Sequence, residues 1–321
     1  MKRTTNGLLG SRTDRRARAG LAGLLLLALG AVAASFLAPY SPRSQDRESF
    51  HRPPALPADG CSLDWLVAGE GGGRHLFGFS GCRAYLLGTD ALGRDVLSRI
   101  LYGARVSVLS AFLGVLFAVS VGALVGTAAA LGGSVWDWIL MRGTELVMSL
   151  PALYLILAVR SAFPDDLDPL WASLILIASL AFVGWCGVSR VVRGQVLSLR
   201  ERDFVTAAVA AGASRWRILY RHILPNALPL LWLQMGILLP YFLIGEATLS
   251  FLGLGVQEPN PSWGNMLASA AQSYTSMVEH WWTLAIPGAA LTFAVLAANL
   301  WIEGMRQSLL REAGLALIES P

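Results

Sequence analysis

The sequence predicts an all-α membrane protein with six transmembrane helices and a basic cytoplasmic loop between the fourth and the fifth. Of its 321 residues, 55% are apolar and 14% are charged, and the mean hydropathy is +0.55. Soluble domains carry about a quarter charged residues. The apolar residues form several runs of the length that crosses a bilayer. Six crossings put the most basic segments on one side, as the positive-inside rule requires, whereas five would separate them.

The N-terminal segment predicts the side of the membrane on which the chain begins. Residues 1–20 are basic and the apolar run 21–38 follows, so we expect a cytoplasmic N-terminus and a first transmembrane helix. A signal peptide has a shorter apolar stretch, of about 7–15 residues. An uncleaved helix is therefore favoured, although Ala33-Ala34-Ser35 leaves cleavage open.

Residues 39–103 predict a small lobe on the outer side. Seven arginines balance seven acidic residues here, and the segment is too long for a plain connector. Cys61 and Cys82 lie in it and form a disulfide if that side is oxidising; two free thiols are the alternative. Asp90 is expected to cap the start of the following helix, rather than to form an acid–base site with Asp95.

Residues 104–310 are expected to form a five-helix core, with a cytoplasmic tail at 311–321. The first run, 104–131, carries small residues at four-residue spacing, which favours close helix packing. They are Ala118, Gly122, Gly126 and Ala130. A Gly132-Gly133-Ser134 turn leads into 138–162, where Pro151 should kink the helix.

Three further spans are predicted at 170–190, 228–252 and 282–303. Arg142 and Glu145 are expected to pair locally on one helix face. Glu246 has no basic neighbour in sequence, so we expect it to face a pathway or a partner subunit, or else to form a buried structural hydrogen bond. Trp281 and Trp282 are expected at the membrane interface. Arg160 should snorkel to it.

The loop predicted at 191–227 contains an unusual segment that begins at Asp203. Its residues predict a helix–turn–helix with a small-residue face, a left-handed glycine, a serine cap, a basic second helix and a terminating proline. In chain order these residues are Ala207, Ala208, Ala211, Gly212, Ser214, Arg215, Arg217, Arg221 and Pro225. Such a surface can dock into a partner. A basic loop that merely fixes topology is the alternative.

The sequence lacks the motifs of several kinds of binding and catalytic site. Lys2 is the only lysine, so the Gly-Lys-Ser/Thr of a phosphate-binding loop is absent. The four histidines are scattered, and neither CxxC, HExxH nor GxSxG occurs. We expect no enzyme activity, no metal, no cofactor and no nucleic-acid partner for this chain.

The motifs resemble a known family. Thr206-Ala207-Ala208-x3-Gly212 followed by Ile223-Leu224-Pro225-Asn226 is similar to the EAA loop of bacterial ABC-importer permeases. Three further segments resemble segments of dipeptide, oligopeptide and nickel permeases: 87–105, 246–255 and 261–265. Two different permeases pair in these importers, and the similarity is to the C-type one. Thr206 stands where the family has the glutamate that names the motif, so the role of that glutamate is not carried over.

The resemblance implies the ABC importer type I permease fold in the bacterial inner membrane, with both termini cytoplasmic. It implies a second similar permease, two cytoplasmic ATPases that hold ATP and Mg, and an extracytoplasmic substrate-binding protein. Cargo would be di- or oligopeptides, with nickel or another small solute as alternatives. An ATP-independent secondary transporter remains a rival class, but no internal repeat is seen. A membrane-embedded enzyme would need clustered catalytic residues.

Overall fold

The computed structural model describes residues 15–55, 62–68, 74–80, 83–164, 169–272 and 278–312. Cys61, Cys82 and most of the N-terminal basic segment lie outside these residues. The disulfide between the two cysteines therefore stays a prediction.

Long helices account for most of the described chain, and two strands lie between the second helix and the third. The helices are α1 (Arg15–Val32), α2 (Ala34–Leu37), α3 (Val96–Leu131), α4 (Ser134–Ser149), α5 (Ala152–Ser161), α6 (Pro169–Arg200), α7 (Asp203–Ala210), α8 (Arg215–Ile218), α9 (Leu224–Phe251), α10 (Trp263–Ala271) and α11 (Trp282–Glu312). The strands are β1 (Ser62–Ala68) and β2 (Arg74–Ser80).

Four described helices, α3, α6, α9 and α11, are long and apolar enough to cross a membrane, and the bent pair α4–α5 makes five if it counts as one span. The first predicted span corresponds to α1. It begins with Arg15, Arg16 and Arg18, which leave only its second part apolar. The structure thus has four to five candidate spans instead of the predicted six.

The helices extend beyond most of the predicted spans. The helix predicted from 104 begins at Val96, and the one predicted to end at 190 continues to Arg200. The outer segment predicted at 39–103 therefore ends earlier than expected. The basic loop predicted at 191–227 begins later than expected. Hydropathy marks only the apolar part of a helix, whereas backbone hydrogen bonding continues through its polar ends.

Pro151 breaks the third predicted span more sharply than a kink. Helix α4 ends at Ser149, α5 begins at Ala152, and their axes meet at 88°. Proline removes a backbone donor and clashes with the preceding turn, so a helix cannot pass through it undisturbed. The expected Gly132-Gly133 turn is present, and Gly133 has a φ of 90°.

The predicted small-residue stripe packs α3 against α6. A Cβ atom added to Gly122 would lie 2.8 Å from the Trp185 carbonyl oxygen, and one added to Gly126 would lie 2.4 Å from the Ser189 oxygen. Such distances leave no room for a methyl group. The two backbones touch here, which confirms the expected close packing.

The outer segment contains a β-hairpin, which departs from the all-α prediction. Strands β1 and β2 pair antiparallel, with Ser62 opposite Ser80 and Ala68 opposite Arg74. Both strands are rich in aromatic and branched residues, which favour extended backbone. The sequence prediction considered only the glycine, proline and charge of this region.

Helix α10 lies against the start of α3 and the end of α9. Ser262 and Asn265 form a reciprocal capping box at its start. Trp263 is fully buried, and its Nε1 donates to the Ile100 carbonyl oxygen at 3.1 Å. This short helix thereby fixes the loop after α9 against the start of α3.

Candidate functional site

The segment after α6 forms the predicted helix–turn–helix. Gly212 follows α7 with a φ of 76°, a left-handed conformation that glycine adopts without strain. The Ser214 hydroxyl accepts a hydrogen bond from the Arg217 amide at 3.3 Å and caps α8. The sequence therefore predicted the local geometry of this turn.

Pro225 does not terminate the second helix, contrary to the prediction. After α8 the chain forms a π-helical turn, Leu219–Ile223, and runs directly into α9, whose first turn contains the proline. A π turn shifts the hydrogen bonds to i→i+5, so the missing proline donor does not end the helix. The Asn226 side chain donates to the His222 carbonyl oxygen at 2.6 Å. The turn is thus rigidly continuous with a membrane-spanning helix.

The turn has a small-residue face and an aromatic one. Ala207 and Ala211 are exposed and Ala208 is half-buried, as expected for a surface that a partner can approach closely. Trp216 and Tyr220 are also exposed and stack, with ring centroids 5.9 Å apart. The sequence analysis missed this aromatic pair, although its i, i+4 spacing on a helix was the signal.

Buried anchors attach the turn to the bundle. Val205 and Ile223 are almost fully buried, while Arg215, Arg217 and Arg221 are exposed. At the end of α6, the Arg200 guanidinium donates to the Ala130 carbonyl oxygen at 2.6 Å. This bond ties the entrance of the turn to the end of α3.

Asp203 begins α7 as an exposed acid in its first turn, where negative charge favours a helix. Thr206 is exposed, and its hydroxyl donates only to the Asp203 carbonyl oxygen, at 2.9 Å. The hydrogen bond of Thr206 is therefore local to the first turn of α7.

Glu246 lies in the interior, between α9 and the outer ends of α3 and α10. It is 0% exposed, and its Oε1 accepts a hydrogen bond from the Ser250 hydroxyl at 2.8 Å. The hydroxyls of Ser107 and Ser262 also surround the carboxyl group. Of the two predicted alternatives, this placement favours the buried structural hydrogen bond over a pathway contact.

An ion cluster joins the start of α3 to the loop before α10. Arg94 and Arg99, both almost fully buried, donate to the Glu258 carboxylate at 2.5 and 2.7 Å. Arg94 also pairs with Asp90 at 2.7 Å. Because removing one member of a buried ion pair leaves an uncompensated charge, this cluster holds the outer loop in place.

Asp90 does not cap the helix, contrary to expectation. It lies in a turn and accepts the amides of Leu92 and Arg94. Asp95 is the N-cap of α3 instead, accepting the Ser98 amide at 2.8 Å. Burial raises the pKa of Asp95 to about 6, and the hydrogen bonds from Ser98 act in the opposite direction.

Two predicted interfacial side chains are buried. Trp282 is 5% exposed and donates from Nε1 to the Thr89 carbonyl oxygen at 3.1 Å, while Trp281 is exposed as expected. Arg160 donates to the Phe163 and Pro164 carbonyl oxygens and so covers the end of its own helix. Hydropathy alone did not distinguish an interfacial tryptophan from one that fastens the outer lobe.

The long apolar helices define a polytopic membrane protein, and an exposed helix–turn–helix runs into one of them. Residues 118–312 match the family described as binding-protein-dependent transport system inner membrane component. Residues 12–54 match the N-terminal transmembrane domain of oligopeptide transport permease C. The chain belongs to this family and is a multi-pass permease subunit of an ABC importer.

Similar proteins cover most of the chain. The di/tripeptide transport system permease protein DppC of Pseudomonas aeruginosa is 33% identical over 92% of this chain and 88% of its own length. A protein of Brucella suis named as a peptide transport system permease is 36% identical over 92% of this chain and 87% of its own. A permease of this family works in general with a partner permease, ATPases and a substrate-binding protein.

Proposed function

We propose that this chain and a second, similar permease form the pathway through which an ATP-driven importer brings di- and oligopeptides into the cell. The names of the relatives support a peptide cargo, because they match over about nine tenths of the chain. Nickel complexes or another small solute are the alternative cargo. ATP and Mg are bound by two partner ATPases, and a binding protein delivers the cargo from outside.

The observation that carries this proposal is the exposed turn between α6 and α9. It is anchored by Val205 and Ile223, and it presents the small face and the Trp216–Tyr220 stack outward. Large aromatic side chains flanked by arginines are typical of protein interfaces. We propose that the turn fits a groove in one ATPase, as an EAA-type coupling loop.

The coupling mechanism follows from the continuity of the helices. The π-helical turn and α9 form one helical segment from Arg215 to Phe251. A displacement of the turn is therefore transmitted along α9 instead of being absorbed by a flexible hinge. ATPase closure would bias the spans between inward- and outward-facing states.

We further propose six spans with both termini in the cytoplasm. In this arrangement α1 is the first span and the bent pair α4–α5 crosses once. The match of residues 12–54 to an N-terminal transmembrane domain supports the first point. The arginines before α1 and in the 203–226 segment then share the cytoplasmic side.

The coupling proposal is tested in proteoliposomes that contain the two permeases and the two ATPases, with the substrate-binding protein added. Gly212→Pro forbids the observed positive φ, and Arg215→Glu/Arg217→Glu reverses the exposed charge. Both should abolish ATP-dependent peptide uptake while the chain still inserts into the membrane. Arg306→Glu, an exposed arginine outside the turn, serves as the matched control and should retain uptake.

Two results would overturn these proposals separately. Normal uptake in the turn variants rejects the coupling role. A wild-type complex that never retains an ATP-hydrolysing partner rejects the importer arrangement and favours a secondary transporter. A complex that hydrolyses ATP but transports nickel chelates and no labelled peptide corrects the cargo alone.

A further inference from the structure

A charged cavity of about 740 Å³ opens between α4 and α6. Its volume falls within the range of ligand sites, about 300–1,000 Å³. Five of its nine lining side chains carry charge. They are Asp137, Arg142, Glu145, Arg190 and Arg193.

Four of these five charges are paired. Arg193 forms a bidentate pair with Asp137, and Arg142 pairs with Glu145 at 2.6 Å. Arg190 differs, because its guanidinium donates only to the Met148 sulfur, at 3.7 Å. Among the residues that the structure describes, no carboxylate pairs with it.

Water reaches the charged side chains of the cavity. Arg190 and Val191 are exposed, and the side chains of Arg142 and Glu145 are 63% and 48% exposed. Arg190 is the last residue of the span predicted at 170–190, next to the predicted cytoplasmic loop. An arginine at the end of a transmembrane helix extends to the aqueous interface, so its guanidinium is hydrated.

A second cavity lies at the helix break. It measures about 600 Å³ and is lined by apolar side chains of the break, α5 and α6, including Leu150, Pro151, Tyr154 and Phe182. Phe182 lies two helical turns before Arg190 on α6. Along α6, an apolar cavity therefore precedes the charged one.

We propose that Arg190 binds the C-terminal carboxylate of a peptide in transit through this cavity. The inference rests on the proposed peptide import and adds a residue to its pathway. Arginine pairs with carboxylates bidentately, and an unpaired guanidinium in a water-filled cavity is free to do so. Because Asp137 and Glu145 are paired with their own arginines, Arg190 carries the uncompensated positive charge of the cavity.

The first test compares two cargoes in proteoliposomes holding the complete complex. Labelled tripeptides with a free carboxylate or a C-terminal amide are each supplied with saturating binding protein. Arg190→Gln should lower uptake of the free-carboxylate peptide by about tenfold or more, and leave the uptake of the amide at its wild-type value. Arg190→Lys should restore part of the loss. Arg306→Gln is the matched control outside the cavity.

Equal effects of Arg190→Gln on both cargoes would overturn the proposal, since a purely structural arginine is indifferent to the peptide terminus. Unchanged uptake of the free-carboxylate peptide would overturn it as well. A wild-type complex that imports neither peptide would reject the proposed function instead.

A second measurement tests the proposal even if the Arg190 variants fail to assemble into the complex. A photo-crosslinking residue is placed at Val191, which lines the cavity, and at Leu26, an exposed apolar position of α1, as control. During turnover, Val191 should crosslink to labelled peptide and Leu26 should not. Crosslinking of Val191 to phospholipid, with none to peptide, would show that the cavity holds a lipid headgroup and reject the proposal.

Discussion

His51 and His280 stack at the outer side of the bundle, with ring centroids 3.7 Å apart. The backbone of His51 has a φ of 49°, and its amide donates to the Asp90 carbonyl oxygen. Burial lowers the pKa of His51, the nearby His280 lowers it further, and Asp90 acts in the opposite direction. The pair connects the outer segment to the start of α11.

The stability of this contact should depend on pH. A histidine whose folded pKa is below its unfolded value of about 6.5 stabilises the fold above that pH. The stabilisation is lost as the pH falls, because the unfolded chain binds the proton more readily. We expect the melting temperature of the purified protein to fall between pH 7 and pH 5.

The matched variant is His51→Gln, which cannot be protonated. Its melting temperature should change less over the same pH range, and at pH 7 it should remain folded. The raised pKa of Asp95 acts in the opposite direction over this pH range, so the comparison with the variant is decisive. An identical pH dependence of the melting temperature in the wild type and in the variant would contradict a role for His51.

Glu246 illustrates what the sequence leaves open at the scale of one residue. An acid in an apolar run must have a polar environment, and that much follows from sequence alone. Its partners come from three elements, since Ser107 lies on α3 and Ser262 caps α10. No local pattern brings these residues together, so the choice between structure and pathway required the fold.

At the scale of the element, helix packing depends on backbone contact more than on side-chain size. Gly126 lies against the Ser189 carbonyl oxygen of α6, where an added Cβ would approach to 2.4 Å. Gly194 lies on α6 itself, where the same Cβ would meet nothing within 4 Å. The α3–α6 pair therefore offers a sensitive glycine in the interface and an insensitive one on the exposed side of α6.

Gly126→Ala should destabilise the protein by about 1–3 kcal/mol, because the added methyl group forces α3 and α6 apart. Gly194→Ala should be neutral or stabilising by up to about 1 kcal/mol, since alanine favours the helix. Thermal unfolding in detergent, followed by helical circular dichroism, measures both. Equal melting temperatures for the two variants would contradict the close contact between the helices.

Local rules predicted the turns and the Ser214 cap better than the helix ends, although they placed the cap of α3 at Asp90 instead of Asp95. Gly212, Ser214 and the glycine pair at 132–133 act through interactions within a few residues, so their roles follow from the sequence. Pro225 did not end its helix, because the π turn before it accommodates the ring. That adjustment depends on the packing of α9, which a local rule does not include.

At the scale of the molecule, charge and hydropathy predicted the class of protein but not the whole architecture, and the side of each loop stays a prediction. The ion cluster of Arg94, Arg99 and Glu258 joins segments more than 150 residues apart. Contacts of this range leave no periodicity in the sequence. The resemblance covered the segment with Arg94 and Arg99 without indicating that Glu258 pairs with them.

The number of crossings gives a final prediction for the whole chain. Six spans require both α1 and the bent pair α4–α5 to cross the bilayer, whereas either could instead lie in one leaflet or re-enter. Single cysteines distinguish these cases in a background without the three native cysteines. The four probe positions are Thr5, Gln45, Ser161 and Ser214.

Thr5 precedes α1 and Gln45 follows it. Ser161 lies at the end of the α4–α5 pair, and Ser214 follows α6. With six spans, Gln45 and Ser161 react with an impermeant maleimide added outside intact cells, and Thr5 and Ser214 react only after the membrane is opened. Gln45 protected together with Thr5 would mean that α1 does not cross. Gln45 labelled from outside with Ser161 protected would mean that the α4–α5 pair re-enters, and Ser214 would then be labelled from outside, because α6 still crosses. Because Thr5 and Ser214 also share a side when both elements fail to cross, the two outer probes decide the topology.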